Sequence, residues 1–184
     1  MTASTQLNRT TLILGGARSG KSAYAEKLAL KAHLHPVYIA TAQAHDDEMR
    51  TRIAEHQNRR ANTWTTIEEP LDLCKALRDH AAPTNVILVD CLTLWLSNLM
   101  MAEKNIDDET SKLVSLMREP AGSVILVSNE VGMGLVPETA LGRDFRDHQG
   151  RLNQRIADAA DSVEFIAAGY PLTLKTNQQA ENKQ

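Results

Sequence analysis

The chain has 184 residues, of which 42% are apolar and 23% charged, and its formal net charge is -3. This length suits one domain with a substantial core, and the composition is that of a globular protein rather than a disordered or membrane-spanning one. The negative charge argues against a general nucleic-acid-binding protein, which needs a broad basic surface to displace counterions from phosphates.

The sequence carries no mark of export, membrane insertion or cysteine chemistry. Residues 1–9 are polar and lack the apolar stretch of a secretory signal, so a cytoplasmic location is expected. No window approaches the roughly 20 apolar residues that a membrane-spanning helix needs. Cys74 and Cys91 lack CxxC spacing and lie among apolar residues, where free cysteine behaves as a small hydrophobic residue. We therefore expect neither a zinc site nor a disulfide.

Short apolar runs alternate with helix-like stretches along the chain, which predicts an α/β fold with a mostly parallel sheet. Because the runs are continuously apolar, we expect the strands to be buried on both faces. Strands are predicted at 11–15, 36–41, 86–90, 123–128 and 163–167. Helices are predicted at 20–33, 46–59, 70–81, 93–103, 107–118 and about 141–160. We expect a single domain over 10–175, with flexible termini at 1–9 and 176–184.

A phosphate-binding loop of the pattern GxxxxGK[ST] follows the first predicted strand. It comprises Gly15, Gly16, Ala17, Arg18, Ser19, Gly20, Lys21 and Ser22. In such a P-loop, backbone N–H groups surround the phosphates, the lysine supplies a positive charge and the final hydroxyl binds Mg²⁺. A glycine-rich turn without a ligand is the alternative. The predicted helix that begins directly after the loop favours phosphate binding, because a helix N-terminus carries partial positive charge.

An acidic residue at the end of a buried strand is the second part expected of such a site. Asp90 ends the predicted strand 86–90 and is the candidate. Taken alone, an aspartate there also fits a strand end or a helix cap. Beside a loop that contains Lys21 and Ser22, we interpret Asp90 as a Mg²⁺ ligand, with Ser22 as the other protein ligand.

One histidine lies next to a basic cluster. His56 shares a face of its predicted helix with Met49 and Ile53, so the imidazole projects from the apolar side. A histidine there is more often packed in a core. Arg59 and Arg60 favour a second hypothesis, in which they hold phosphate oxygens while the imidazole attacks a transferring group. The residue types alone leave both hypotheses open.

Several longer strings resemble one enzyme family, the bifunctional adenosylcobinamide kinase / adenosylcobinamide-phosphate guanylyltransferase of cobalamin biosynthesis. They are residues 15–22, 38–43 (YIATAQ), 46–49, 52–56 (RIAEH), 64–68, 128–137 (SNEVGMGLVP) and 145–157. The resemblance runs from Thr10 to Lys175, and several of these strings are far more specific than a P-loop. It implies a P-loop NTPase fold of the RecA-like kind, with helices on both faces of the sheet, and a homotrimer.

The resemblance also implies two reactions. A nucleoside triphosphate, ATP or GTP, phosphorylates the aminopropanol hydroxyl of adenosylcobinamide, and GTP then transfers GMP to that phosphate with loss of pyrophosphate. His56 matches the family's histidine that carries the covalent guanylyl group, so the resemblance favours the second hypothesis for this residue. Lys21 and His56 are the implied catalytic residues, and Mg²⁺ is the implied metal. The implied GTP contacts are residues 15–22, Ala40, Thr41, Ala42, Gln57, Asn58, Arg59, Arg60, Glu68 and Asp90.

Two side-chain roles and two rival functions stay open. Glu68 can accept hydrogen bonds from the Watson–Crick edge of guanine, from ribose or from a loop amide. Glu130 can face the corrinoid or order a water, or the glycines after it only shape a turn. The rival functions are a small-molecule kinase without guanylyl transfer and a RecA-like ATP-binding module that acts on a partner or on DNA. The acidic charge and the scarcity of aromatic residues disfavour the module.

Overall fold

The computed structural model describes residues 9–43 and 63–176. Within these ranges, seven strands and five helices follow one another along the chain. The strands are β1 (Thr10–Gly15), β2 (His35–Ala40), β3 (Thr65–Glu68), β4 (Asn85–Asp90), β5 (Ser123–Asn129), β6 (Ser162–Ala167) and β7 (Tyr170–Lys175). The helices are α1 (Lys21–Lys31), α2 (Leu73–His80), α3 (Leu92–Met101), α4 (Ile106–Arg118) and α5 (Ala140–Ala159).

The seven strands form one sheet in the order β3-β2-β4-β5-β1-β6-β7. β1 to β6 are parallel, and β7 pairs antiparallel with β6. The parallel strands all end at the same side of the sheet, which we call the carboxyl edge. β5 lies between β1 and β4, so the strand that precedes the P-loop and the strand that ends at Asp90 are separated by one strand.

Helices cover both faces of the sheet, because successive residues of a strand point to opposite sides. On one face, Leu12 and Leu14 of β1 belong to a core that includes residues of α2, α3, α4 and α5. On the other face, Ile13 belongs to a core to which α1 contributes Ala25 and Ala29. The interiors of β1, β2, β4 and β5 are buried throughout, as their continuous apolar runs predict.

The structure confirms all five predicted strands, with ends that differ by no more than one residue. It also confirms five of the predicted helices, with ends that differ by up to three residues. The predicted helix 46–59 lies outside the described residues. The prediction missed β3 and β7, which lie at the two edges of the sheet and are largely exposed. Edge strands need no continuous apolar run, and β7 also contains Pro171, which an edge position tolerates.

Both cysteines are free and buried in the core. Burial raises the pKa of the Cys74 and Cys91 thiols to about 11, so both stay protonated at neutral pH. Among the residues that the structure describes, no group of three or more His, Cys, Asp and Glu side chains could hold a metal ion. None of the five described helices is long and apolar enough to cross a membrane. A cytoplasmic location stays a prediction.

Candidate active site

The carboxyl ends of β1 and β5 border a crevice. The chain leaves β1 towards α1 on one face of the sheet, and it leaves β5 towards α5 on the opposite face. Neighbouring parallel strands whose connections diverge in this way leave space between them, where open α/β sheets bind ligands. Gly15 of the P-loop lies opposite Asn129 in the β1–β5 register. The P-loop therefore forms one side of the crevice, and the segment after β5 forms the other.

Gly15 and Gly20 allow the P-loop to turn tightly between β1 and α1. A Cβ atom at Gly15 would lie 2.5 Å from Ile166 O and 2.7 Å from Ser19 Oγ. Gly20 has a φ of 98°, in the left-handed region that glycine adopts without strain. The turn between β6 and β7 closes against the loop, where Gly169 N donates to Ser19 O at 2.8 Å. Close backbone packing therefore holds the shape of the loop.

The P-loop presents polar groups that a phosphate would satisfy. α1 begins after Gly20 without a side-chain capping bond, and its first N–H groups have no acceptor within the helix. The Ser19 hydroxyl is buried and has no hydrogen-bond partner in the described part of the chain. A Cβ atom at Gly16 would meet no atom of the described residues within 4 Å, so these residues leave space beside the loop there. This arrangement suits the phosphates of a nucleotide at a helix N-terminus.

Lys21 is buried at the start of α1. It is only 6% exposed, and its Nζ donates to Gly16 O at 2.6 Å. Burial lowers the pKa of the ammonium group, and the negative charge of nearby Asp90 acts in the opposite direction. Burying a cation is costly, so the site electrostatically favours an incoming anion.

Three candidate residues lie in a row at the carboxyl edge. The strand register places Ala40 of β2 beside Glu68 on one side and beside Asp90 on the other. Tyr38 OH donates to Asp90 Oδ2 at 3.0 Å, and the tyrosine ring contacts Trp64 edge to face. Tyr38 thereby orients the Asp90 carboxylate. This role of the Tyr38 hydroxyl could not be predicted from the sequence, because Tyr38 lies in an apolar run that is typical of a core strand.

Thr41 joins the ends of two strands. It is fully buried, and its hydroxyl donates to Cys91 O at 2.7 Å and accepts from Cys91 N at 2.8 Å. Its carbonyl accepts from Asn98 Nδ2 at 2.8 Å. The Thr41 hydroxyl therefore fixes the backbone next to Asp90. Ala42, the next residue, is half-buried.

A buried polar network holds the end of β5. Thr93 Oγ1 accepts from Asn129 N at 2.8 Å, and Asn153 Nδ2 donates to Asn129 O at 3.0 Å. The Gln149 amide, fully buried on α5, donates to Ser128 Oγ at 2.9 Å and to Asn153 Oδ1 at 3.0 Å. Sequence reasoning missed this network. Its signal was a pair of amide side chains four residues apart on the inner side of a predicted helix.

The structure brings the P-loop, Ala40, Thr41, Ala42, Glu68 and Asp90 to one edge of the sheet. The other predicted site residues lie outside the described residues. They are His56, Gln57, Asn58, Arg59 and Arg60. The roles assigned to both groups of residues stay predictions.

The fold is similar to that of the RadB recombinase. The TM-score is 0.50 at 15% sequence identity, and the alignment covers 85% of this chain and 73% of that chain. This likeness confirms the predicted RecA-like P-loop fold, and at such low identity it shows the fold alone.

The sequence matches the family model described as cobinamide kinase / cobinamide phosphate guanyltransferase over residues 11–174. It is 51% identical over 166 residues to the bifunctional adenosylcobalamin biosynthesis protein CobP of Pseudomonas aeruginosa, covering 89% of this chain and 96% of the relative. It is 41% identical over 179 residues to the bifunctional adenosylcobalamin biosynthesis protein CobU of Salmonella typhimurium, covering 89% and 98%. These matches confirm the resemblance found in the sequence. The chain belongs to the cobinamide kinase / cobinamide phosphate guanyltransferase family.

Proposed function

We propose that this chain catalyses two successive reactions on adenosylcobinamide. It first transfers the γ-phosphoryl group of a nucleoside triphosphate to the aminopropanol hydroxyl, and it then transfers GMP from GTP to the resulting phosphate. The observation that carries the proposal is the family match over residues 11–174. The P-loop, with its uncapped helix and buried Lys21, supplies a site suited to the triphosphate of both reactions.

In the kinase reaction, the triphosphate would lie along the P-loop and the N-terminus of α1. The acceptor hydroxyl oxygen attacks the γ-phosphorus and loses its proton, and the bond from that phosphorus to the bridging oxygen breaks, which releases the nucleoside diphosphate. Charge develops on the transferred phosphoryl oxygens and the leaving oxygen. The ammonium group of Lys21 and the first N–H groups of α1 would stabilise that charge.

In the transfer reaction, we propose that His56 forms a covalent intermediate. A neutral imidazole nitrogen attacks the α-phosphorus of GTP, the bond to the β-phosphate oxygen breaks and pyrophosphate leaves. An oxygen of adenosylcobinamide phosphate then attacks the same phosphorus, and the N–P bond breaks to give adenosylcobinamide-GDP. Arg59 and Arg60 would neutralise the charge that develops on the phosphate oxygens.

Mg²⁺ is the metal expected for phosphoryl transfer in a P-loop enzyme, and the donor set fits it. Ser22 stands in the first turn of α1, and Asp90 ends β4 with its carboxylate oriented by Tyr38. Ser22 and Asp90 would hold the ion, directly or through water. When bound, it would neutralise charge on the phosphate oxygens.

Replacing Asp90 with asparagine should raise the Mg²⁺ concentration needed for half-maximal turnover. The amide keeps the size of the side chain and an oxygen for Tyr38, but it removes the negative charge that attracts the ion. We expect a loss of at least about tenfold at limiting Mg²⁺, the scale typical when groups that support a metal are changed. Rates measured across a Mg²⁺ titration test this. Asp79→Asn is the matched control, since Asp79 is an exposed residue on α2. Identical Mg²⁺ titration curves for Asp90→Asn and wild type would show that Asp90 is not a metal ligand.

Glu68 is the candidate for contact with the nucleoside. It ends β3 at the carboxyl edge, in register with Ala40. A carboxylate there would accept two hydrogen bonds, either from the N–H groups of guanine or from the ribose hydroxyls. We propose GTP for the transfer reaction and ATP or GTP for the kinase reaction. From the family resemblance, we also propose a homotrimer.

Parallel reactions with GTP labelled at the α- or the γ-phosphate test the two-step proposal. With adenosylcobinamide present, γ-label should appear first in adenosylcobinamide phosphate, and α-label should appear later in adenosylcobinamide-GDP. Transfer of the γ-label without the α-label would indicate a kinase that lacks guanylyltransferase activity. If neither label reaches the corrinoid although the nucleotide binds, the proposed function is wrong.

A further inference from the structure

The segment after β5 is apolar and exposed. We call it the apolar loop and define it as residues 131–137, which carry no ionisable side chain. Met133 is 79% exposed, Leu135 95% and Val136 67%, and Leu141 at the start of α5 is 70% exposed. Four large apolar side chains close together in the sequence therefore face solvent. Large apolar side chains that are exposed as a group, rather than singly, are a feature of binding surfaces.

Hydrogen bonds hold the apolar loop in this arrangement. The Glu130 carboxylate accepts from Gly132 N at 2.6 Å and from Met133 N at 3.1 Å. At the other end, Arg143 Nη1 donates to Pro137 O at 3.0 Å and to Glu138 O at 2.7 Å. Hydrogen bonds therefore hold the backbone at both ends of the loop, while the apolar side chains between them are exposed to solvent.

The apolar loop begins where the nucleotide site ends. Glu130 N donates to Gly15 O at 3.0 Å, which joins the first residue after β5 to the start of the P-loop. The bonds from Thr93 and Asn153 to Asn129 fix the residue before it. The apolar loop therefore begins beside the P-loop, at the opposite side of the crevice. A molecule that receives a phosphoryl group from a nucleotide in the P-loop must enter this crevice.

We propose that the apolar loop, together with Leu141, binds the corrin macrocycle of the acceptor substrate. This inference rests on the proposed function and adds the site of the corrinoid to it. A corrin ring is broad and carries many methyl groups, so it can cover several exposed apolar side chains at once. Burial of that surface would contribute to affinity, and the position of the loop would bring the aminopropanol arm towards the P-loop.

The two sides of the crevice differ in charge. The P-loop side has Lys21 and the N-terminus of α1, which suit phosphates. The apolar loop offers no charged side chain to a phosphate. A second exposed apolar patch, formed by Tyr170, Leu172 and Leu174 of β7, starts near the P-loop but runs away from the carboxyl edge along an antiparallel strand. Among the residues that the structure describes, the apolar loop is thus the exposed apolar surface that continues the nucleotide site.

Leu135→Ser tests the proposal. Because Leu135 is 95% exposed, the change should leave the thermal stability of the protein unaltered. We expect the KM for adenosylcobinamide and its dissociation constant to rise at least about tenfold. The KM for the nucleotide should change by less than about twofold, since the P-loop is intact. Equilibrium binding followed by the visible absorbance of the corrinoid measures the dissociation constant without catalysis, and Leu135→Met should keep the wild-type value.

Met101→Ser is the matched control, because Met101 is 61% exposed at the end of α3, away from the carboxyl edge, and should bind the corrinoid as wild type does. An unchanged dissociation constant in Leu135→Ser overturns the proposal. This holds whether or not the substitution also dissociates the proposed homotrimer, which a measurement of molar mass would show. If wild type binds adenosylcobinamide without phosphorylating it, the proposed function fails. The binding comparison between Leu135→Ser and Met101→Ser then still decides the site of the corrinoid.

Discussion

Replacing Lys21 with alanine is expected to remove both activities of this chain. The ammonium group lies within the P-loop, 2.6 Å from Gly16 O, where the phosphates would be held. Loss of one charge-assisted hydrogen bond to a phosphate costs about 1.5 to 3 kcal/mol, or roughly ten- to a hundredfold in affinity. Stabilisation of the transition state adds to this, so we expect turnover to fall by about 10² to 10³. Nucleotide titration calorimetry and the rates of both product-forming reactions measure the two effects.

The same change should not destabilise the protein without nucleotide. Burial lowers the pKa of Lys21 in the folded state below its unfolded value, so the charged lysine opposes folding at neutral pH. This cost lessens as the pH rises through the folded pKa, and alanine removes it at every pH. The melting temperature of Lys21→Ala should equal or exceed that of wild type, while added nucleotide should raise it less. Lys27→Ala, an exposed change on the same helix, should resemble wild type; a large fall in melting temperature for Lys21→Ala alone would make Lys21 a structural residue.

His56→Ala is expected to separate the two proposed reactions. If His56 carries the guanylyl group, its loss removes the nucleophile, and transfer of GMP should fall by at least about 10⁴. The kinase reaction uses the P-loop and needs no imidazole, so its rate should stay within about threefold of wild type. Denaturing gels after incubation with α-labelled GTP measure the covalent label. In wild type the label should be lost on treatment with acid, as expected for a phosphoramidate.

His80→Ala provides the control for this experiment. His80 ends α2 at the side of the sheet opposite the carboxyl edge, and Asn85 at the start of β4 contacts its carbonyl. The variant should keep the covalent label and both rates. Label that persists in His56→Ala would place the guanylyl group on another residue. Equal loss of both reactions would instead indicate that His56 supports the nucleotide site as a whole.

The part of the fold that could be predicted is the part that is buried. β1, β2, β4 and β5 carry continuous apolar runs because helices cover both of their faces, and these runs identify strands without other information. β3 reads Thr-Thr-Ile-Glu and lies exposed at one edge, so no apolar run marks it. β7 lies exposed at the other edge. The order of the strands was not predictable either, because it depends on contacts between elements distant in sequence.

The site could be predicted where its chemistry depends on a local pattern. The P-loop has fixed spacing because one turn must join a strand to a helix N-terminus, and Asp90 ends a buried strand. The contacts that position these residues come from elsewhere in the chain. Tyr38 reaches Asp90 from β2, and Glu130 N reaches Gly15 from the end of β5. Such pairs depend on strand order and register, so the sequence contains the residues without showing the contact.

The position of β5 between β1 and β4 gives the two charged groups of this site separate partners. Neighbouring strands lie about 4.8 Å apart, so the backbones that carry the P-loop and Asp90 are separated by about 10 Å. The side chains extend across that spacing, and the negative charge of Asp90 acts on the Lys21 ammonium group. Each group nevertheless has a hydrogen-bond partner on its own side: Lys21 Nζ donates to Gly16 O, and Asp90 Oδ2 accepts from Tyr38 OH. A change at one of the two charges therefore leaves the hydrogen bond of the other intact.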